Sequence, residues 1–218
     1  MSIATNLEEI RASIPEQVTL VAVSKTKPNE AILEAYEAGQ RVFGENKVQE
    51  LAEKAAALPK DIEWHMIGHV QTNKVKYMAP FVHLVHGVDR LKVLKELNKE
   101  AAKNKRVIDC LLQVFIADEE TKFGFSAEEI LDIFKENQLD NYKNLRVRGL
   151  MGMATFTDDQ TQIATEFSGL KKLFDEVLST YNLSTFNILS MGMSGDYQLA
   201  IANGSTMIRV GTKIFGGR

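Results

Sequence analysis

The chain has 218 residues, 44% hydrophobic and 25% charged, with a formal net charge of −3. That length suits one barrel-sized unit or two small ones and leaves material for a core of normal size. The charge balance excludes the basic footprint of nucleic-acid binding, no apolar run approaches the ~20 residues a membrane helix needs, and Cys110, the only cysteine, excludes an internal disulfide and fits a cytoplasmic protein.

The N-terminal stretch M-S-I-A-T-N-L-E-E-I-R is polar and predicts a capped helix over residues 6–13, not a signal peptide. Short β-rich apolar runs then alternate with longer amphipathic ones. Strands are expected to begin near Thr19, Arg41, Glu63, His83, Val107, Arg146, Asn187 and Met207. Helical patterns lie between them over 30–38, 47–58, 73–78, 91–103, 127–137, 161–180 and 196–202. No linker or low-complexity stretch interrupts the series, so residues 1–218 read as a single domain. Strands alternating with helices imply βαβ units and a parallel sheet. Eight such units fit a closed (β/α)8 TIM barrel with an extra N-terminal helix. The competing open, doubly wound sheet carries a glycine-rich turn after its first strand. Here that strand ends V-A-V-S-K-T-K-P, without a glycine.

In a barrel, chemistry gathers where strands end and the following loops begin. Lys25 closes the apolar run 18–23 at the first such mouth. A lysine there meets a partly desolvated cavity, which favours the neutral amine that attacks an aldehyde to form a Schiff base. A snorkelling lysine with a solvated head is the bland alternative. Lys27, before Pro28, lies further into the loop. The run S-M-G-M-S-G-D, 190–196, follows a strand and opens a helix, with Ser194 as a good N-cap and Gly195 leaving the backbone open to a ligand. The run I-R-V-G-T-K-I-F-G-G-R, 208–218, places Arg209 inside the eighth strand and Gly211 and Thr212 at its mouth. Barrels often hold phosphate between the loops after their seventh and eighth strands, so the two runs support each other. An inward-pointing arginine is costly to bury without a partner. His65, His69, His83 and His86 lack the spacing of helix-borne metal ligands and read as packed or hydrogen-bonded; no metal site is expected.

Six motifs, V-A-V-S-K-T-K-P, F-G-E-N-K-V-Q-E, W-H-M-I-G-H-V-Q-T-N-K, R-G-L-M-G-M-A-T-F, L-S-M-G-M-S-G-D and I-R-V-G-T-K-I-F-G, span nearly the whole chain in order. In them the sequence resembles the pyridoxal phosphate homeostasis proteins. The resemblance implies a fold type III barrel, like the N-terminal domain of alanine racemase standing alone. It further implies pyridoxal 5'-phosphate (PLP) carried as an internal aldimine on Lys25. Ser194, Gly195, Gly211 and Thr212 would hold the phosphate, Arg209 would face the pyridine nitrogen, and Asn46 would line the pocket near the ring.

The same likeness raises a weak amino-acid racemase as the alternative. Racemisation needs a base on each face of the carbanion. In the racemase the second base is a tyrosine from a separate C-terminal domain of the partner subunit, and this chain stops at Arg218, shortly after its eighth strand. An arginine on the ring nitrogen also leaves it unprotonated and a weaker electron sink. The sequence therefore favours a cofactor buffer or carrier without robust turnover. Its partners would be PLP and apo forms of PLP-dependent enzymes, and it would act as a monomer, with no nucleic-acid or membrane contact.

Overall fold

All eight expected strands form. They are β1 (Thr19–Val23), β2 (Val42–Glu45), β3 (Glu63–Met66), β4 (Leu84–Val88), β5 (Ile108–Gln113), β6 (Leu145–Met151), β7 (Ile188–Ser190) and β8 (Met207–Val210). In the computed structural model, which describes residues 2–117 and 123–217, each strand pairs in parallel with the next, and β8 returns to β1 to close the barrel.

The helices lie where the 3.6-residue pattern puts them, with differences at their ends. α1 (Ile3–Ala12) begins earlier than residue 6 because the Ser2 side chain accepts the Thr5 N–H and caps it. α2 (Asn29–Glu37), α3 (Val48–Ala57) and α5 (Leu91–Lys103) follow the expected spans. Segment 73–78 divides into a 3₁₀ turn, Thr72–Lys74, and the short α4 (Val75–Met78). α6 (Ala127–Lys135) stops before residue 137 because Asn137 turns left-handed, with φ 52°, into the 3₁₀ turn Gln138–Asn141. α7 (Gln160–Tyr181) and α8 (Tyr197–Ala202) complete the expected set, and α9 (Thr212–Phe215) adds a last turn that no periodicity signalled. Among the described residues no helix is long and apolar enough to cross a membrane.

Side-chain alternation along the strands splits the core in two. The larger part, with Phe43, Trp64, Leu94, Phe167 and Phe186, fills the layer between strands and helices. A smaller cluster of Val21, Ile67, Leu84, Leu111, Met151 and Met207 lies on the inward strand faces. Burying each such side chain contributes roughly 1.5–3 kcal/mol. The inner face is not wholly apolar. His65 pairs in register with Leu84, Ser190 with Met207, and Arg209 with Val21, so these polar residues share the interior with the small cluster.

Candidate functional site

Counting by twos from Val21 through Val23 puts Lys25 on the inward side, just past the end of β1. It is half-buried, and among the described residues its Nζ makes no hydrogen bond or ion pair. Lys27 differs. Its Nζ donates to the carbonyls of Phe215 (3.1 Å), Gly216 (3.2 Å) and Gly217 (2.9 Å), which engages all three ammonium protons and ties the first loop to the end of α9.

The backbone around Lys25 is held by residues that sequence reasoning missed. Thr26 sits at φ 64°, a left-handed conformation that a β-branched residue adopts at a cost of order 1–3 kcal/mol. α3 holds it there. The Thr26 N–H donates to Glu50 Oε1 at 2.6 Å, and Lys54 Nζ donates to Ser24 O at 2.8 Å. Lys54 also reaches Glu45 Oε1 at 2.8 Å and Glu50 Oε1 at 2.7 Å, and the Ser24 hydroxyl donates to Glu45 Oε1 at 2.6 Å. Burial pushes the Glu45 carboxyl above its ordinary range despite the Lys54 and Ser24 contacts. At Glu50 burial acts upward too, but the hydrogen bonds from Lys54 and Thr26 prevail and hold it below that range. The clamp thus fixes the peptide groups on both sides of Lys25 and leaves its amine open. The i, i+4 spacing of Glu50 and Lys54 was the only trace of it in the sequence.

Asn46 follows β2 directly and is half-buried. Its carbonyl would lie 2.4 Å from a Cβ at position 68, so only glycine lets the third loop pass this close. Asn46 lines a cleft of about 270 Å³ with His69, Gln71 and Lys74. His69 does not enter the barrel. Its Nδ1 meets Asp89 Oδ2 at 2.7 Å and its ring packs on Phe123.

The loops after β7 and β8 do come together. Ser194 Oγ accepts the Gly211 N–H at 3.2 Å. This corrects the N-cap reading of Ser194. The cap residue of α8 is Asp196, whose Oδ1 accepts the Met193 N–H at 2.5 Å, and Ser194 turns instead toward the neighbouring loop. Gly211 is packed, since a Cβ there would lie 3.1 Å from Val23 O, whereas Gly195 is exposed with open space beside it. Thr212 opens α9 and is exposed. Among the described residues, the N–H groups of Ser194, Gly195, Thr212 and Lys213 have no hydrogen-bond acceptor. Four free N–H groups and two hydroxyls thus stand on two loops joined by the Ser194–Gly211 bond, and groups of this kind can accept an anion.

Beneath the mouth, Arg209 is 4% exposed. Its Nη1 donates to Ser190 Oγ at 2.6 Å and its Nη2 to Gly152 O at 3.0 Å. Burial holds its guanidinium below the ordinary arginine range, at about 10, with Asp196 opposing, so it stays charged near neutrality. Three of its five N–H donors remain for a ligand. Ser190 continues to His86 Nδ1 (3.1 Å), and His86 Nε2 to His65 Nδ1 (3.1 Å). His65 is therefore a hydrogen-bonded interior residue, as one reading of the sequence allowed. His86 is hydrogen-bonded as expected, while the part played by Ser190 was not foreseen, because a lone serine on a strand carries no spacing signal.

The chain matches the family described as alanine racemase, N-terminal domain, over residues 1–218. A pyridoxal phosphate homeostasis protein of Aquifex aeolicus is 42% identical over 200 residues, covering 91% of this chain and 86% of that protein. The solved structure of PipY from Synechococcus elongatus PCC7942, with PLP bound, is 35% identical with a TM-score of 0.89, covering 99% of this chain and 100% of that one. An alanine racemase of Clostridium difficile 630 shares the fold at a TM-score of 0.83 and 13% identity, covering 100% of this chain and 57% of that one.

Proposed function

Because the chain belongs to the family of pyridoxal phosphate homeostasis proteins, we propose that it binds PLP at the strand mouths and serves as an intracellular buffer and carrier of the cofactor. PLP when bound supplies an aldehyde that condenses reversibly with an amine. Lys25 would hold that aldehyde. Ser194, Gly195, Gly211 and Thr212 would hold the phosphate, Arg209 would donate to the pyridine nitrogen, and Asn46 would line the ring's side of the pocket. The groups fit the cofactor's three polar demands, because an unpaired amine, free N–H groups and a buried cation with spare donors all line one end of the barrel.

The observation that carries this reading is the contrast between the two lysines. Lys27 has its ammonium fully engaged, and Lys25, two residues earlier, has none of its own engaged. The test is the absorbance of the purified protein before and after borohydride reduction, followed by peptide mapping. A near-visible band and a phosphopyridoxyl group on Lys25, both lost in Lys25→Ala, are expected. A group found mainly on Lys27 or Lys213 overturns the assignment.

Arg209 is consistent with holding rather than turnover, although it does not by itself separate the two, since the racemase the chain resembles also places an arginine at the ring nitrogen. A charged arginine can only donate, so a ring nitrogen facing it stays unprotonated and withdraws electrons weakly. Three of the five tyrosines are engaged elsewhere. Tyr36 donates to Asp61, Tyr197 shares a hydrogen bond with Ser13, and Tyr181 stacks on Phe134. The recipients would be apo forms of PLP-dependent enzymes. The reading assigns every role to residues of this one barrel and so takes the protein to act as a monomer. The lone Cys110, buried with its thiol pushed up to about 12 by desolvation, is inert and suits a cytoplasmic protein.

A further inference from the structure

At the opposite end of the barrel, three residues that no spacing linked are brought together by the pairing of β3 with the chain entering β4. Glu63 opens β3, His65 lies two residues on with its ring inside, and His83 precedes β4, its N–H bonded to Trp64 O. One nitrogen of each histidine and one Glu63 oxygen lie within 4.8 Å of one another. His83 Nε2 stands 3.4 Å from Glu63 Oε2, and the two imidazoles stack 5.6 Å apart at 12°. Ligands bonded at ~2.0–2.1 Å to a tetrahedral ion stand about 3.3–3.4 Å apart, so the His83–Glu63 pair already has the edge of such a site.

A second observation points the same way. His65 is 2% exposed, its Nδ1 is taken by His86, and its Nε2 is buried with no hydrogen-bond partner among the described residues. An orphaned buried imidazole nitrogen is costly unless something fills the place beside it. With its proton on Nδ1 toward His86, the His65 ring presents the Nε2 lone pair to that place. A ligating histidine characteristically donates its other ring N–H to a fixed acceptor, and His86 Nε2 is placed to accept it.

We propose that Glu63, His65 and His83 form a binding site for a divalent transition-metal ion of the zinc class, with His86 as the outer partner of His65. Two imidazoles and a carboxylate are the donor set of such ions, with a fourth position left to water. Binding through His65 Nε2 fixes the proton on Nδ1. His86 must then accept at Nε2 and donate from Nδ1 to Ser190, the same hydroxyl that accepts from Arg209. The ion would thereby set the direction of the hydrogen-bond chain that ends at Arg209. This goes beyond cofactor binding and does not depend on it.

The test is titration of the metal-free protein with Zn²⁺ by calorimetry, and with Co²⁺ by absorbance. Expected are one ion per chain, four-coordinate Co²⁺ bands, and affinity at least about tenfold weaker in both His83→Ala and Glu63→Gln. Both substitutions replace half-exposed side chains and leave the core intact, and circular dichroism checks this. His69→Ala, remote from the cluster, serves as control and should bind as the unaltered protein does. Absence of saturable one-to-one binding, or affinity unchanged in both variants, overturns the proposal.

Discussion

Replacing Lys54 by methionine probes the clamp around Lys25. The side chain is 7% exposed and its ammonium contacts Glu45, Glu50 and the Ser24 carbonyl. Methionine keeps most of the volume and removes the charge. Glu50 retains the Thr26 N–H and some solvent, but Glu45, fully buried, is left with the Ser24 hydroxyl alone. Breaking a buried pair in this way costs about 3–5 kcal/mol, a large part of the roughly 5–15 kcal/mol that holds a domain folded. Glu45 can escape by taking up a proton. Its carboxyl already lies above the ordinary range because of burial, and loss of Lys54 raises it further. An acid raised in the folded state binds its proton more readily folded than unfolded. Stability therefore falls as pH rises above the unfolded carboxyl value, and returns by up to about 1.4 kcal/mol for each pH unit as pH falls toward it. Urea unfolding of Lys54→Met at pH 7 and pH 5.5 should show the deficit shrinking at the lower pH, by no more than about 2 kcal/mol over that interval. Glu45→Gln in the same background should recover much of the loss at pH 7. With Thr26 less firmly held, PLP addition at Lys25 should also slow. A deficit under about 1 kcal/mol, or one equal at both pH values and untouched by Glu45→Gln, would refute the clamp.

Three further outcomes follow from the site at the strand mouths. Ser194→Ala removes a hydroxyl and the acceptor of the Gly211 N–H; at about 1.5–3 kcal/mol for a charge-assisted bond, PLP affinity measured by equilibrium dialysis should fall roughly tenfold to a hundredfold. Pyridoxal should bind the unaltered protein far more weakly than PLP, and equal affinity would remove the phosphate site from consideration. Chiral assay of amino acids should show no racemisation at the ~1–1,000 per second typical of enzymes, while PLP passes to an apo-enzyme. Racemisation in that range, lost in Lys25→Ala, would make the protein an enzyme.

The barrel was legible because alternation and spacing are local signals. Val18 to Val23, Glu63 to Met66 and Met207 to Val210 read as strands from composition alone, and the 3.6-residue pattern marked Leu91–Lys103 to the residue. Ends governed by single side chains were not. Ser2 caps α1 with its own hydroxyl, and Asn137 ends α6 by a left-handed turn that many residues could have made. The site was half legible. Lys25 and Gly211 stand at strand mouths, a place that the fold predicts for chemistry, and Arg209 lies within β8 just beneath one. The contacts of Lys54 with Ser24 and of Ser190 with His86 join residues 30 and 104 positions apart, and no window of sequence carries such pairings.

Those two long-range networks also explain where this barrel departs from an apolar interior. A barrel closes stably on layers of branched aliphatic side chains, as Val21, Leu84, Leu111 and Met207 still do here. Replacing part of such a layer by Arg209, Ser190, His86 and His65, and backing the first loop with Glu45 and Lys54, puts charge and hydrogen-bonding groups where each unsatisfied atom is penalised. Neither network is needed to close the sheet. Each ends on a group that a ligand at the mouth would meet: one on the backbone of Lys25, the other on the guanidinium of Arg209. The two orphaned buried atoms, Glu45 Oε2 and His65 Nε2, lie at the far ends of these same networks. Stability has been diverted into holding one amine free and one cation fixed. That arrangement is suited to gripping a reactive aldehyde reversibly, and it does not require a second base.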